Sequence, residues 1–158
     1  MYAFDQLPPY RRFLMSAPQR LPYYSLSPAA YQGFGATKKA LESSPLGKEL
    51  IELVWLRMSQ ITGCAFCLEM HAKALRTDGV PNAKLDSLAG WRVSERFSAR
   101  ERATLAWTEA LTHVDRTGAP DADYEPLREY FSDVEVSDLT FAIALMSAFN
   151  RLAIGMRQ

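Results

Sequence analysis

Both cysteines and one of the two histidines of the chain lie close together, in the order Cys64, Cys67 and His71. Spacings of three and four residues put these side chains on one face of a helix, since an α-helix has 3.6 residues per turn. Thr62 and Gly63 come just before and suit a break between helices. Cys64 is therefore predicted in the first turn of a new helix. There, free backbone N–H groups and the positive dipole end favour a thiolate.

This pattern suits reversible dithiol chemistry. A Cys-x-x-Cys pair at a helix start can close to a disulfide and reopen, and His71 could move the protons. Other interpretations fit the same spacing. Free cysteines are among the most buried residue types, so the pair could simply belong to a core. With His71 and Glu52 it could also form a four-ligand zinc site, and a disulfide that alters assembly would make the protein a redox sensor.

Composition narrows the class of protein. The 158 residues suit one domain, and the 18 basic and 18 acidic residues balance, so neither nucleic acid nor an anionic membrane is expected as a partner. We find neither a signal-peptide pattern at the N-terminus nor an apolar run of about 18 residues. The expected location is the cytoplasm, where a close cysteine pair is more often catalytic or metal-binding than structural.

The remaining pattern is helical throughout. It predicts an all-α fold of about seven helices, with a proline-rich arm over residues 1–27 and one helical domain over residues 28–158. The aromatic residues of the arm indicate that it packs on its own subunit or on a neighbour. The helices are predicted to begin at Pro28, Leu46, Cys64, Pro81, the capping boxes at Ser98 and Ser132, and near Tyr124. The last helix is apolar on every side, which is typical of a core or a subunit interface.

Two titratable side chains in these helices need separate treatment. Glu52 interrupts the apolar run of the second helix. It is either part of a narrow exposed strip with Lys48 and Ser59, or a buried functional carboxylate. His113 lies near the end of a helix, where a protonated imidazole is mildly favoured, and a structural role is expected for it.

The cysteine stretch resembles the signature of the alkylhydroperoxidase D (AhpD) branch of the carboxymuconolactone decarboxylase-like superfamily. That pattern reads here as Glu52, Ser59-Gln60, Gly63-Cys64, Cys67 and His71. The runs over residues 97–112 and 148–153 are also similar to members of the branch. The resemblance covers about residues 25–155.

The resemblance implies a thiol-dependent peroxidase with Cys64, Cys67, His71 and Glu52 as its catalytic residues. It implies that a dihydrolipoyl group or a thioredoxin-like protein is the reductant and that the reaction needs no metal, flavin or haem. It also implies that the subunits form trimers or hexamers, with the site near a subunit boundary. It selects the buried interpretation of Glu52. This chain has Phe66 where the best-known peroxidase members carry a histidine, so the redox class is implied more directly than high peroxidase activity. Ring decarboxylation, the other activity of the superfamily, has no use for a cysteine pair.

The roles of the two cysteines rest on two opposing arguments. Cys64 is nearest the free N–H groups, as the nucleophile of thioredoxin-like sites is. Cys67 is one turn from His71, and in the resembled peroxidases the second cysteine meets the peroxide. We therefore expect Cys67 to react with peroxide and Cys64 to be the resolving thiol, exposed enough to exchange with the reductant.

Overall fold

The structure is a computed structural model that describes residues 18–158. Within this range it has nine α-helices and no β-strand, which confirms the all-α class. The first part of the predicted arm, with Pro8 and Pro9, lies outside the described residues. The helices are α1 Tyr23–Leu26, α2 Pro28–Glu42, α3 Lys48–Thr62, α4 Ala65–Thr77, α5 Asn82–Asp86, α6 Ala99–Thr112, α7 Val114–Thr117, α8 Asp121–Tyr124 and α9 Asp133–Met156. Short 3₁₀ turns occupy Leu88–Gly90 and Glu125–Glu129.

Helix α3 is the central element of the fold. One of its sides packs with α6 and α9 in a large apolar cluster that includes Val54, Trp55 and Met58. Leu53 and Leu56 point the other way, into a second cluster with α4, α5 and α6. The predicted burial of this helix almost all round is confirmed, because two cores share it. A side chain on α3 is therefore held rigidly from both sides.

Helix α9 packs one face against the core and leaves another exposed. Leu139, Ile143 and Met146 are buried, whereas Phe141 is 61% exposed. The helix has 24 residues, and an 18-residue stretch of it has a mean hydropathy of 1.5, which matches a membrane span by length and composition, as core helices of soluble proteins also do. The expectation that no segment reaches this length and hydropathy is wrong for α9, because few charged residues interrupt it.

The predicted starts of two helices are confirmed by their capping boxes. The Ser98 hydroxyl accepts from the backbone N–H of Glu101, and the Glu101 side chain accepts from the backbone N–H of Ser98. Ser132 and Glu135 do the same at α9. Ser27 is different: Pro28 is the first residue of α2 as predicted, but the Ser27 side chain makes no capping hydrogen bond.

The described part of the arm packs on the C-terminal end of α9. The Arg20 backbone N–H donates to the Met156 carbonyl at 2.8 Å, and its guanidinium donates to the Gly155 carbonyl at 2.7 Å. The arm is also less irregular than predicted, since α1 forms one helical turn after Pro22. Tyr23 of α1 and Phe66 of the cysteine-bearing helix line the same cavity, which is described below.

Candidate active site

The cysteine pair lies at a tight junction between α3 and α4. Gly63 ends α3 with a φ of 73°, a conformation that costs little only for glycine. The N–H groups of Gly63 and Cys64 both donate to the Ser59 carbonyl, at 3.0 and 3.2 Å. Cys64 is the N-cap of α4, one position earlier than predicted, and its Sγ accepts from the Cys67 backbone N–H at 3.3 Å. The first sulfur is thus held at a helix N-terminus, where negative charge is favoured.

Cys64 and Cys67 are joined by a disulfide, with their Cα atoms 5.3 Å apart. Both side chains are only 2% exposed and belong to the core cluster around Met58. The expectation that Cys64 is exposed is therefore wrong, because the turn at Gly63 directs this side chain inward. Phe66, which lies between the two cysteines in the sequence, is 43% exposed and presents the nearby surface instead.

Glu52 and His71 form a buried pair between α3 and α4. The Glu52 Oε2 and His71 Nδ1 atoms are 2.7 Å apart, and the two residues are 8% and 3% exposed. The exposed-strip interpretation of Glu52 is wrong, since Ser59 is fully buried. A carboxylate at this distance accepts from Nδ1–H and leaves Nε2 as the free ring nitrogen. Among residues 18–158, Nε2 of His71 is buried without a hydrogen-bond partner.

A cavity of about 200 Å³ brings Cys67 and His71 together. Trp55 also lines it, with its ring centroid 5.4 Å from that of His71. The other lining residues are mostly aromatic or apolar and come from α1, α2, α4, α9 and the C-terminus: Tyr23, Tyr31, Lys38, Phe66, Met70, Met146, Phe149, Ala153 and Gln158. Cys64 does not line this cavity. The arrangement gives one cysteine of the pair a shared space with a histidine that has an unused ring nitrogen.

Two of the lining residues, Tyr23 and Gln158, bring polar groups to the cavity. Burial first, and then the neighbouring Tyr31 and Tyr24, raise the pKa of Tyr23. Its hydroxyl therefore stays protonated and donates to Oε1 of Gln158. This contact joins α1 to the last residue of the chain beside the cavity.

Sequence reasoning missed a second polar cluster, which we call the Glu109 cluster (Glu109, Arg57, Trp91 and Arg92). Oε1 of Glu109 accepts from Arg57 Nε and Trp91 Nε1, each at 2.7 Å, and Oε2 accepts from Arg92. Burial alone raises the pKa of Glu109, but the hydrogen bonds from Trp91, Arg92 and Arg57 outweigh it and lower the pKa overall. Arg57 and Glu109 are too far apart in the sequence for any helical spacing to pair them.

Asn150 is another contact that the residue pattern alone did not identify. Its amide Nδ2 donates to the Ser59 hydroxyl at 3.3 Å, and that hydroxyl donates to the Trp55 carbonyl at 2.7 Å. Ser59 in turn accepts the two N–H groups at the cysteine turn. Helix α9 thereby braces the turn that holds Cys64.

His113 and a zinc site were also considered from the sequence, and neither adds a residue to the group formed by Cys64, Cys67, Glu52 and His71. His113 is the C-cap of α6, with its Nδ1 3.1 Å from an Arg116 nitrogen, as expected of a structural residue. In the part of the chain that the structure describes, no group of three or more His, Cys, Asp or Glu side chains could hold a metal ion. The zinc interpretation therefore has no support in this geometry.

Known proteins are similar to this chain in both sequence and fold. Residues 28–110 match the sequence profile of the carboxymuconolactone decarboxylase family. The uncharacterized protein YdfG of Bacillus subtilis (strain 168) is 30% identical over 138 residues, which cover 87% of this chain and 94% of YdfG. The chain belongs to the carboxymuconolactone decarboxylase family. This membership confirms the family that the Glu52-to-His71 pattern resembles.

Solved structures place this family member in the AhpD-like branch. A protein of unknown function from Agrobacterium tumefaciens, suggested to be the antioxidant defence protein AhpD, superposes with a TM-score of 0.86 and 40% identity. The match covers 89% of this chain and 97% of that protein. An uncharacterized peroxidase-related protein from Silicibacter sp. TM1040 has a TM-score of 0.76 and 25% identity, over 85% of this chain and 72% of its own. The branch is therefore one of peroxidase-related proteins, and the activity of this chain needs its own argument.

Proposed function

We propose that this protein is a thiol-dependent peroxidase that reduces organic hydroperoxides through the Cys64–Cys67 pair. The observation that best supports this proposal is the cavity that Cys67 and His71 line together. The Nδ1 atom of this histidine is 2.7 Å from Glu52, which leaves Nε2 for the thiol. A peroxidatic thiol needs a base that takes its proton and an acid that delivers a proton to the leaving oxygen. His71 can serve both needs from one nitrogen, with Glu52 stabilising the imidazolium.

The oxidative half of the cycle balances within this site. His71 Nε2 takes the Cys67 thiol proton, and the thiolate attacks the terminal oxygen of the hydroperoxide. The O–O bond breaks, His71 returns the proton to the departing alkoxide, and Cys67 becomes a sulfenic acid. The Cys64 thiol then attacks that sulfur, which forms the disulfide and releases water. One hydroperoxide thus consumes two thiols and yields one alcohol, one water and one disulfide.

The division of roles within the pair rests on the cavity. Cys67 lines it and Cys64 does not, which supports Cys67 as the peroxide-reacting thiol. Cys64 Sγ accepts a backbone N–H at the helix start, which favours a ready thiolate for the resolving step. Its burial means that exchange with a reductant requires the turn at Gly63 to move or a partner to press against it.

Trapping of the sulfenic acid tests this division. Peroxide with a dimedone-type reagent should label Cys67 in the Cys64→Ser variant. The Cys67→Ser variant should react with peroxide much more slowly, although its Cys64 can still be alkylated. Equal labelling rates of Cys64 and Cys67 in the two variants would reverse the assignment.

We further propose that an external dithiol returns the disulfide to its reduced form, with the cytoplasm as the compartment. A dihydrolipoyl arm or a thioredoxin-like protein has the required chemistry, because a thiolate exchanges with the disulfide through a mixed disulfide. Comparison of disulfide reduction rates with dihydrolipoamide and with thioredoxin distinguishes the two reductants.

A homo-oligomer, a trimer or hexamer, completes the proposal. Phe141 and Val134 are seven residues apart, so they share one outer face of α9, and each is 61% exposed. Large apolar side chains on one exposed helix face are typical of a subunit contact. Light scattering that gives a monomer at micromolar concentration would contradict this part of the proposal.

The second candidate is a redox sensor whose disulfide alters assembly. The burial of both sulfurs favours a sensor, because a buried disulfide exchanges slowly with external thiols and can keep the protein in its oxidised form. Steady peroxide consumption with a dithiol supports the peroxidase. Stoichiometric oxidation with a change of oligomeric state and no turnover supports the sensor.

A further inference from the structure

A second cavity lies on the far side of the Glu52–His71 pair. It has a volume of about 260 Å³ and is lined by Lys38, Glu42, Lys48, Ile51, Glu52 and Trp55. We call it the carboxylate basin. His71 and Cys67 do not line it, and Glu52 does not line the cysteine cavity. The two partners of one 2.7 Å contact thus belong to different cavities.

The wall between the two cavities is formed by the residues that they share. Trp55 and Lys38 line both. The Trp55 ring is fixed, since its Nε1 donates to the Ala142 carbonyl at 3.0 Å and the residue is 4% exposed. The Glu52–His71 hydrogen bond crosses between the two sides. A proton therefore has a path between the cavities that needs no opening of this wall.

We propose that the carboxylate basin is the proton port of the site, through which Glu52 exchanges protons with solvent while the cysteine cavity is occupied. This inference rests on the proposed function, and it adds an entrance and the residues that serve it. Reduction of the disulfide requires such an exchange of protons. The attacking dithiol loses its proton to solvent, and the departing Cys67 thiolate must regain one through Glu52 and His71. A port behind Glu52 supplies it without emptying the substrate space.

The charges that line the basin balance, with Lys38 and Lys48 against Glu42 and Glu52, so removal of the Glu52 carboxylate leaves an excess of positive charge there. Lys48 and Lys38 are cationic, and a hydrogen bond from Lys48 to Asp78 raises the pKa of Lys48 and keeps it charged. Glu42 is paired with Lys38 at 3.2 Å. The two lysines would attract a free carboxylate if the Glu52 side chain were removed. Lys48 is thus a positioning residue in this proposal.

Chemical rescue with formate tests the port. Glu52→Ala removes the carboxylate and enlarges the basin, and formate can then take its place beside His71 Nδ1. We expect formate to restore much of the lost kcat of this variant without raising the KM for hydroperoxide. The matched control is Glu52→Gln, whose amide fills the same space, and formate should leave it unchanged.

The basin lysine provides the second readout. In the Glu52→Ala background, Lys48→Gln should raise the formate concentration for half-rescue roughly two- to fivefold, the size of an exposed ion-pair effect. Lys39→Gln, next to Lys38 in α2 but outside both cavities, should have no such effect. Absence of rescue, a KM that rises in proportion to formate, or equal effects of the two lysines would each overturn the port.

A failure of the proposed function has a different signature. In that case the wild-type protein would not turn over hydroperoxide at all. The rescue is then measured on reduction of the disulfide by dithiothreitol, which needs no peroxide. Formate should accelerate that reduction in Glu52→Ala and not in Glu52→Gln, and equal rates with and without formate would overturn the port on this readout too.

Discussion

Helix α3 contributes to a buried pair, Glu52–His71, and to the partly buried Glu109 cluster, and the two carboxylates differ in how fully their hydrogen bonds are satisfied. The Glu109 cluster surrounds one carboxylate with three donors, from Arg57, Trp91 and Arg92. The Glu52–His71 pair gives its carboxylate one partner and leaves His71 Nε2 without a hydrogen bond among the described residues. A saturated carboxylate stabilises a fold, whereas an unused nitrogen beside a thiol can accept and return a proton.

The largest effect that this comparison predicts is on the rate of hydroperoxide turnover by the Glu52→Gln variant. Gln keeps the shape and can still hydrogen-bond to His71, but it cannot ionise. Hydroperoxide turnover should fall roughly ten- to ten-thousand-fold, the range of general acid–base effects. The free energy of unfolding should fall by about 1 kcal/mol or less. Full activity in steady-state assays would show that Glu52 is as structural as Glu109.

The opposite result is expected for Glu109→Gln. Loss of the charge leaves Arg57, whose side chain is 14% exposed, beside a neutral partner. The free energy of unfolding should fall by roughly 1 to 3 kcal/mol, the range for the loss of a hydrogen bond to a charged group. Turnover at a temperature where the variant is folded should stay within about twofold of wild type. Urea denaturation and turnover, measured on the same preparation, would contradict the comparison if activity fell and stability did not.

Glu52 and Glu109 also show how much of the structure could be predicted from the sequence alone. Helical periodicity and the Ser98 and Ser132 capping boxes predicted most helices, because local patterns determine where helices begin and which face is buried. The family pattern selected the buried interpretation of Glu52, which periodicity had left open. Glu109 could not be found in this way, because its partners on α3 and before α6 meet it only in the tertiary structure. The burial of Cys64 was missed for the same reason, since the direction of the Gly63 turn depends on packing against α9.

Acid should weaken the Glu109 cluster in a predictable direction. Because the pKa of Glu109 is below its ordinary value of 4.5, its contribution to stability is fully present above that pH. The contribution is lost as pH falls below 4.5 and through the lowered pKa. Wild-type stability should therefore drop more steeply than that of Glu109→Gln below pH 4.5. Thermal unfolding across this range measures both slopes, with Glu129→Gln, an exposed carboxylate, as the control that should follow wild type.

The smallest expected effect concerns the backbone. Both sulfurs belong to one helix start, and the Glu109 cluster and the two apolar cores do not depend on the bond between them. Reduction of the disulfide should therefore leave the far-ultraviolet circular dichroism spectrum within a few per cent of its oxidised form. A large loss of helical signal would mean that the disulfide holds α4 together and that reversible cycling is costly.

The central claim is that hydroperoxide converts the two thiols of one chain into the Cys64–Cys67 disulfide. Titration of the reduced protein with an organic hydroperoxide, followed by intact-mass and peptide-mass detection, tests it most directly. One equivalent should remove both thiols, lower the mass by about two units and join the peptides of Cys64 and Cys67 within one chain, and a dithiol should reverse the change. Crosslinks between chains as the main product, or thiols that survive the hydroperoxide, would contradict the account.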